Sequence, residues 1–282
     1  MPEESAPVRS VTRDGILVDG PDAASWLQGQ VSQDVESLAP GESRLTLVLS
    51  PQGKVDSFCR VTRLDPGRLL LDVERGHGEA LMERLRRFKL RVKATLDPVT
   101  VQCEERAGGG LDPFGPPEIL DPVSAARDAA RAEDPRVDTV FEAARILGGV
   151  PRLGRELTDR TIPQEAGDAF VAETVSFTKG CFTGQELVAR LDARGSNVPR
   201  RLRVLRSTSA STDAMVSPGD RLERDGIDAG EVTSSARDGA GPVVALALVK
   251  RAHVSEEPTE GDVLTGGGRV RVTILPPESG RG

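Results

Sequence analysis

At 282 residues the chain is long enough to bury a large core, and it is read as two packed units. Charged residues make up 29% and hydrophobic residues 37%, the balance of a globular protein and not of a disordered or membrane chain. A net charge of -7 and 3% aromatic content, with no tyrosine, disfavour direct nucleic-acid binding, which draws on surplus positive charge and stacking surfaces.

The start, MPEESAPVRS, has neither the basic n-region nor the apolar core of a signal peptide, and no apolar run approaches the roughly 20 residues needed to cross a bilayer. The expected location is therefore the cytoplasm, with no membrane partner. Gly15 to Gly20 then reads as a strand, and Pro21 to Gln28 opens a helix with proline in its first turn. Arg44 to Leu49 alternates polar and apolar residues, Pro51-Gln52-Gly53 supplies a turn, and Val55 to Val61 and Leu69 to Leu71 read as further strands. From Gly78 to Leu90, Leu81, Met82, Leu85 and Phe88 recur at helical spacing, and Arg86, Arg87 and Lys89 suit the C-terminal end of the helix dipole. Two strands, around Val92 and at Val99 to Gln102, complete an α+β pattern.

Gly108 to Asp134 changes character, with a glycine run and clustered prolines, and is read as a surface insertion holding at most one short helix. Val137 to Leu147 is a helix ended by Gly148-Gly149 and stopped by Pro151. From about Val204 short strands alternate with glycine turns and no helical period, which argues a small β-barrel. The expected division is an α+β region over 8–197, with an irregular insertion at about 107–136, and a barrel over 198–282.

Three cysteines, Cys59, Cys103 and Cys181, without C-x-x-C spacing, and two histidines are too few for an all-protein zinc or iron-sulfur site, so no metal site is expected. The chemistry concentrates in Lys179-Gly180-Cys181-Phe182-Thr183-Gly184-Gln185-Glu186. Thr183-x-x-Glu186 matches a capping box, which predicts a helix from about Gly184 and puts Cys181 just before its N-terminus, beside the charge of Lys179. Both features favour a thiolate. The plainer alternative is a packed cysteine among Val175, Phe177 and Phe182. The arginines at 190, 194, 200, 201, 203 and 206 are read either as a solvated face or as a site for an anionic ligand tail or partner.

Residues 179–186, followed by Val188-Ala189-Arg190, resemble the K-G-C-[YF]-x-G-Q-E-x-V-A-R signature of YgfZ-type proteins, relatives of the glycine-cleavage T-protein and of a mitochondrial iron-sulfur assembly factor. Shorter similarities keep the family's order along the chain: Leu27-Gln28-Gly29-Gln30 with Gln33-Asp34-Val35, Gln52-Gly53-Lys54, Arg145 with Gly149-Val150-Pro151, and Ile162-Pro163-Gln164-Glu165. The resemblance implies an α+β T-protein-like fold around a central channel with a C-terminal β-barrel. It implies binding of tetrahydrofolate or a derivative, and partners among iron-sulfur client proteins, including tRNA-modifying ones, or the assembly machinery. By the same resemblance Lys179 and Cys181 would carry the chemistry, Asp34, Arg145, Gly180, Phe182 and Gly184 would contact the folate, and Gln185, Glu186 and Arg190 would either contact it or hold the loop.

The sequence departs from the aminomethyltransferases at two places. Ser57 and Phe58 stand where their acidic pair is expected, with Asp56 one residue out of register, and Leu147 replaces their folate-binding glutamate. The leading expectation is thus a folate-dependent factor for iron-sulfur enzymes. The alternatives are a folate-dependent aminomethyl or methyl transferase or demethylase using Asp56 or Asp34, and a scaffold that has lost the ligand.

Overall fold

A computed structural model of the chain describes residues 6–129, 135–209 and 215–276. The first five residues of the N-terminal leader and residues 130–134 of the expected insertion lie outside the described residues.

In chain order the first part contains β1 (Val8–Asp19), α1 (Ala23–Gln28), β2 (Ser43–Leu49), β3 (Val55–Asp65), β4 (Arg68–Val73), α2 (Gly78–Arg87), β5 (Thr95–Arg106), β6 (Glu118–Ile119), α3 (Pro122–Ala129) and α4 (Pro135–Leu147). A 3-10 turn at Pro163–Ala166, α5 (Asp168–Thr174) and α6 (Gln185–Asp192) follow. The strands form one sheet in the order β2-β3-β4-β1-β5-β6, antiparallel at every pairing. Its two faces bury different partners because successive side chains in a strand point to opposite sides. Val48, Val61, Leu71 and Val73 pack beneath Leu27 of α1 and Leu81 and Leu85 of α2. Leu47, Leu49 and Val55 pack against Phe170 of α5 and Val188 of α6.

The helix predicted to Leu90 stops at Arg87, and the strand expected around Val92 does not form. Backbone geometry explains both corrections: the Phe88 carbonyl accepts the Trp26 indole N–H, and Arg91 turns the chain with a φ of 57°. Among its described residues the insertion holds one helix, α3, besides the two-residue β6.

The last part is a closed barrel of β7 (Arg200–Ser207), β8 (Arg221–Arg224), β9 (Ile227–Arg237), β10 (Val243–Lys250), β11 (Thr259–Thr265) and β12 (Gly268–Leu275), in the order β10-β7-β12-β11-β8-β9. Asp225-Gly226 turns β8 into β9 with both φ angles positive, the conformation a tight antiparallel hairpin needs. Leu205, Val232, Ala247 and Val263 fill the interior. Ala143 and Ile146 of α4 pack on Leu202, Val244 and Leu246 outside it, fixing the barrel to the rest of the molecule.

Leu71 is fully buried in the fourth strand at the centre of the sheet. Leu71→Ala is expected to lower stability by about 2–5 kcal/mol, read as a lower urea midpoint.

Candidate functional site

A cavity of about 690 Å³ opens where the sheet, the 107–114 loop, α4 and the barrel strand β9 meet. Its walls are mostly charged. Arg145, half a turn from the end of α4, lines it, and its guanidinium grips Glu142 through Nε at 3.0 Å and Nη2 at 2.7 Å. Arg152 and Arg155 reach the same carboxylate at 2.8 and 2.9 Å. Burial works against the charge of Glu142, but the hydrogen bonds from Arg145 and the fields of Arg145, Arg152 and Arg155 outweigh it and hold its pKa below the ordinary value. Behind Arg145 lies the buried Glu156, which accepts the Arg152 N–H at 2.9 Å and the Ser234 hydroxyl of β9 at 2.6 Å.

On the opposite wall Arg9 pairs with Glu105 at 2.7 Å and with Asp138, while its guanidinium lies 4.4 Å from the Phe141 ring centre. Arg13 stacks 4.2 Å from Phe114 and bonds Asp72. Arg75 and Arg106 also line the cavity, and neither has a carboxylate within 4.0 Å among the described residues. Sequence reasoning singled out only Arg145 among these. The i,i+3 pair Glu142/Arg145 was the one local signal for the rest.

The other predicted site residues gather elsewhere, and none of 179–186 lines the cavity. Lys179 is half-buried, and its ammonium donates to the carbonyls of Val31 at 2.6 Å, Gln33 at 3.0 Å and Gln28. The ammonium expected to lend its charge to Cys181 is thus engaged by three backbone carbonyls. The lysine is spent on ordering the 28–33 loop, and it also lies 5.0 Å from the Phe182 ring centre. Burial lowers its pKa to about 8, with Asp34 and Glu36 pulling the other way. Asp34 sits on the same loop, accepts the Gln28 amide at 2.9 Å, and is held below the usual carboxylate range chiefly by Ser37, then by Gln28, against burial. Asp34 does not line the cavity.

The capping box does not form. The N-cap of α6 is Gly184, in the left-handed region at φ 82°, with no side-chain cap. A Cβ there would lie 2.5 Å from the Ser50 carbonyl and 2.8 Å from Leu49 Cβ, so the close approach of α6 to the β2–β3 turn demands glycine and moves the cap off Thr183. Gly53 meets Leu187 at that same contact, which ties two of the short sequence similarities together. Glu186 is exposed and pairs with Arg190 one turn on, while Gln185 accepts the Phe182 N–H at 3.3 Å. Phe182 is buried in the core, and Gly180 is exposed. Cys181 is exposed on the loop between α5 and α6. Glu165 holds its own turn by accepting the Ile162 N–H and Arg200, each at 3.0 Å, and Gln164 donates to the Val188 carbonyl at 3.0 Å. Leu147 packs toward the barrel and not the cavity. Asp56 is paired with Arg84 at 2.9 Å, also outside the cavity. Of the downstream arginines, Arg200 and Arg201 are paired with Glu165 and Asp168, and Arg203 is buried.

The fold is that of the glycine-cleavage T-protein class. The aminomethyltransferase T of the glycine cleavage system from Bartonella henselae superposes with a TM-score of 0.72 at 19% identity, covering 97% of this chain and 86% of that one. No protein-family model matches. The tRNA-modifying protein YgfZ of Edwardsiella ictaluri is 30% identical over 252 residues, 75% of this chain and 75% of its own length. A mitochondrial iron-sulfur cluster assembly factor homolog of Neurospora crassa is 28% identical over 216 residues, 64% of this chain but only 49% of that protein. The chain belongs to the YgfZ family of T-protein-like proteins.

In the native protein iodoacetamide is expected to label Cys181 alone. Cys59 and Cys103 are buried, and burial pushes their thiols up to about 12 and about 11, so they should label only on unfolding. Equal labelling of all three would contradict the structure. For Lys179, the side-chain carbon resonance is expected to titrate near pH 8, where an ordinary lysine titrates near ~10.4. The folded state then releases this proton before the unfolded chain does, so the group by itself makes stability rise with pH from about 8 to 10.5. The difference in urea midpoint between wild type and Lys179→Met, followed across that window, checks the sign.

Proposed function

We propose that this chain binds a tetrahydrofolate-class ligand in the cavity beside Arg145 and serves the assembly or maintenance of iron-sulfur enzymes, tRNA-modifying ones among them. The Cys181 loop is its partner-facing element. The observation that carries the reading is the cavity itself: about 690 Å³, inside the ~300–1,000 Å³ range of small-ligand sites, and lined by both acids and free cations.

Folate has a pterin edge rich in hydrogen-bond donors and an anionic glutamate tail, so it needs both kinds of partner. Glu105, bonded through one oxygen to Arg9, offers its other carboxylate oxygen on the cavity wall, and Arg75 and Arg106 offer guanidinium groups with no carboxylate within 4.0 Å among the described residues. Phe58, Phe114 and Phe141 supply apolar wall, though Arg9 and Arg13 already cover one face each of Phe141 and Phe114. A bound tetrahydrofolate supplies a carrier for a one-carbon unit. In this reading Cys181 is the reactive thiol, and Lys179 acts as a positioning residue through the 28–33 carbonyls. The names of the relatives support the client class: one is a tRNA-modifying protein and another an iron-sulfur cluster assembly factor. A transferase using Asp56 or Asp34 is less well supported, since one is neutralised by Arg84, the other is bonded to Gln28, and neither lines the cavity.

Titration calorimetry with mono- and triglutamyl tetrahydrofolate tests the ligand. Both should bind, and the Arg75→Ala/Arg106→Ala variant should weaken the triglutamyl form by roughly tenfold or more, from loss of charge-assisted hydrogen bonds, and the monoglutamyl form by less. No heat and no thermal shift with either compound would overturn the folate half. Complementing a deletion strain with Cys181→Ala tests the other half, where failure to restore iron-sulfur enzyme activity is expected.

A further inference from the structure

Away from the cavity, the end of α2 and the segment after it carry a concentrated and unbalanced charge. Arg86, Arg87, Lys89, Arg91 and Lys93 fall within eight residues of a chain whose net charge is -7. All but the half-buried Lys89 are exposed, and none has a carboxylate within 4.0 Å among the described residues. Asp22, beside the ridge, accepts the Lys93 backbone N–H at 2.8 Å. Within this ridge Leu90 is 79% exposed and Phe88 37% exposed, so apolar surface is interleaved with the cations. Arg91 holds the ridge in shape with its left-handed backbone, a conformation that costs a non-glycine residue energy.

The ridge is a neighbour of the Cys181 loop by two separate routes. Trp26 of α1 donates to the Phe88 carbonyl, and at the far end of this six-residue helix the carbonyls of Gln28 and Gly29 accept Lys179 Nζ and the Thr183 N–H. Arg84, whose guanidinium covers Phe88 at 3.9 Å, donates to the Leu49 carbonyl at 2.9 Å, and Leu49 abuts Gly184. The ridge, with its exposed leucine, is thus the face joined through hydrogen bonds and packing to the loop that carries the exposed thiol.

We propose that this face docks an acidic segment of a partner polypeptide, with an apolar partner side chain on Leu90 and the partner held beside Cys181. Unpaired surface cations in an otherwise acidic protein select an anionic partner by complementarity and steer its approach. A polypeptide suits the surface better than a nucleic acid. One face of Phe88 is covered by Arg84, Trp26 is half-buried, and Leu90 offers no π-face for a base. The proposal deepens the reading of the Cys181 loop as partner-facing, and its test uses no folate, so either can fail alone.

The test uses the full chain and a fluorescein-labelled glutamate/leucine copolymer, with polyglutamate and bulk tRNA as competitors, at low and moderate salt. The variants are Arg86→Gln/Arg87→Gln/Arg91→Gly, where glycine suits the left-handed position, and Leu90→Ser. Unchanged thermal midpoints establish that both are folded, as these side chains are exposed. The triple variant is expected to weaken copolymer binding roughly tenfold. Leu90→Ser should weaken copolymer binding by about threefold, the effect of one partly buried apolar side chain, while leaving polyglutamate binding unchanged. Bound copolymer should slow alkylation of Cys181. Undiminished binding in the triple variant, no effect of Leu90→Ser, or alkylation of Cys181 at an unaltered rate would each overturn the proposal. Displacement of the copolymer by tRNA at lower concentration than by polyglutamate would overturn it in favour of a nucleic-acid surface.

Discussion

Arg145 lies buried between two carboxylates, and the shape of the cavity follows from how that charge is balanced. A guanidinium removed from water is tolerable only when its hydrogen-bonding capacity is met by acceptors of opposite charge. Glu142 takes two of its nitrogens and Glu156 lies 3.4 Å from a third, and each carboxylate then recruits further donors. Glu142 draws in Arg152 and Arg155, and Glu156 draws in the hydroxyl of Ser234 on the barrel. One ionic cluster therefore fixes α4, the 150–156 loop and β9 relative to one another. Because those elements form one wall of the cavity, the cluster sets its size and its charge together.

The opposite wall is built on the same logic with a different outcome. Arg9 and Arg13 come from β1, whose register against β5 places Arg13 opposite Val101 and Arg9 opposite Glu105. Both guanidiniums pack on phenylalanine rings while their edges bond carboxylates, so aromatic surface that would otherwise be open is partly covered. Arg75 and Arg106 differ in having no carboxylate within 4.0 Å among the described residues, which leaves their charge available to a ligand.

The Cys181 loop is a separate construction on the far ends of the sheet elements. Its lysine replaces a salt bridge with three backbone carbonyls, an arrangement that holds the 28–33 loop without presenting the ammonium to a ligand. Glycines at 53 and 184 let α6 approach the β2–β3 turn, and the thiol is left exposed just before that contact. Cavity and thiol thus lie apart on one scaffold, with β3 running between them: Val55 borders the core under α6, and Phe58 and Cys59 line the cavity.

The α+β pattern, the barrel and the family were legible in the residues because they rest on local information. Apolar periodicity marked α2, short strands separated by glycine turns marked the barrel, and the eight residues from Lys179 marked the family. Local pattern failed where a distant partner overrode it. Thr183 and Glu186 have the spacing of a cap, but the contact of Gly184 with Ser50 moves the helix start. Lys179 and Cys181 are two residues apart, yet carbonyls 146 to 151 positions away take the ammonium. The cavity was invisible for the same reason, since Arg9, Glu105, Glu142 and Arg145 come from three separate elements. The sequence by itself determined the main strands and helices, the barrel and the family to which the chain belongs. Only the tertiary structure decided which charges meet, because ion pairing and burial depend on distances in space that no spacing along the chain encodes.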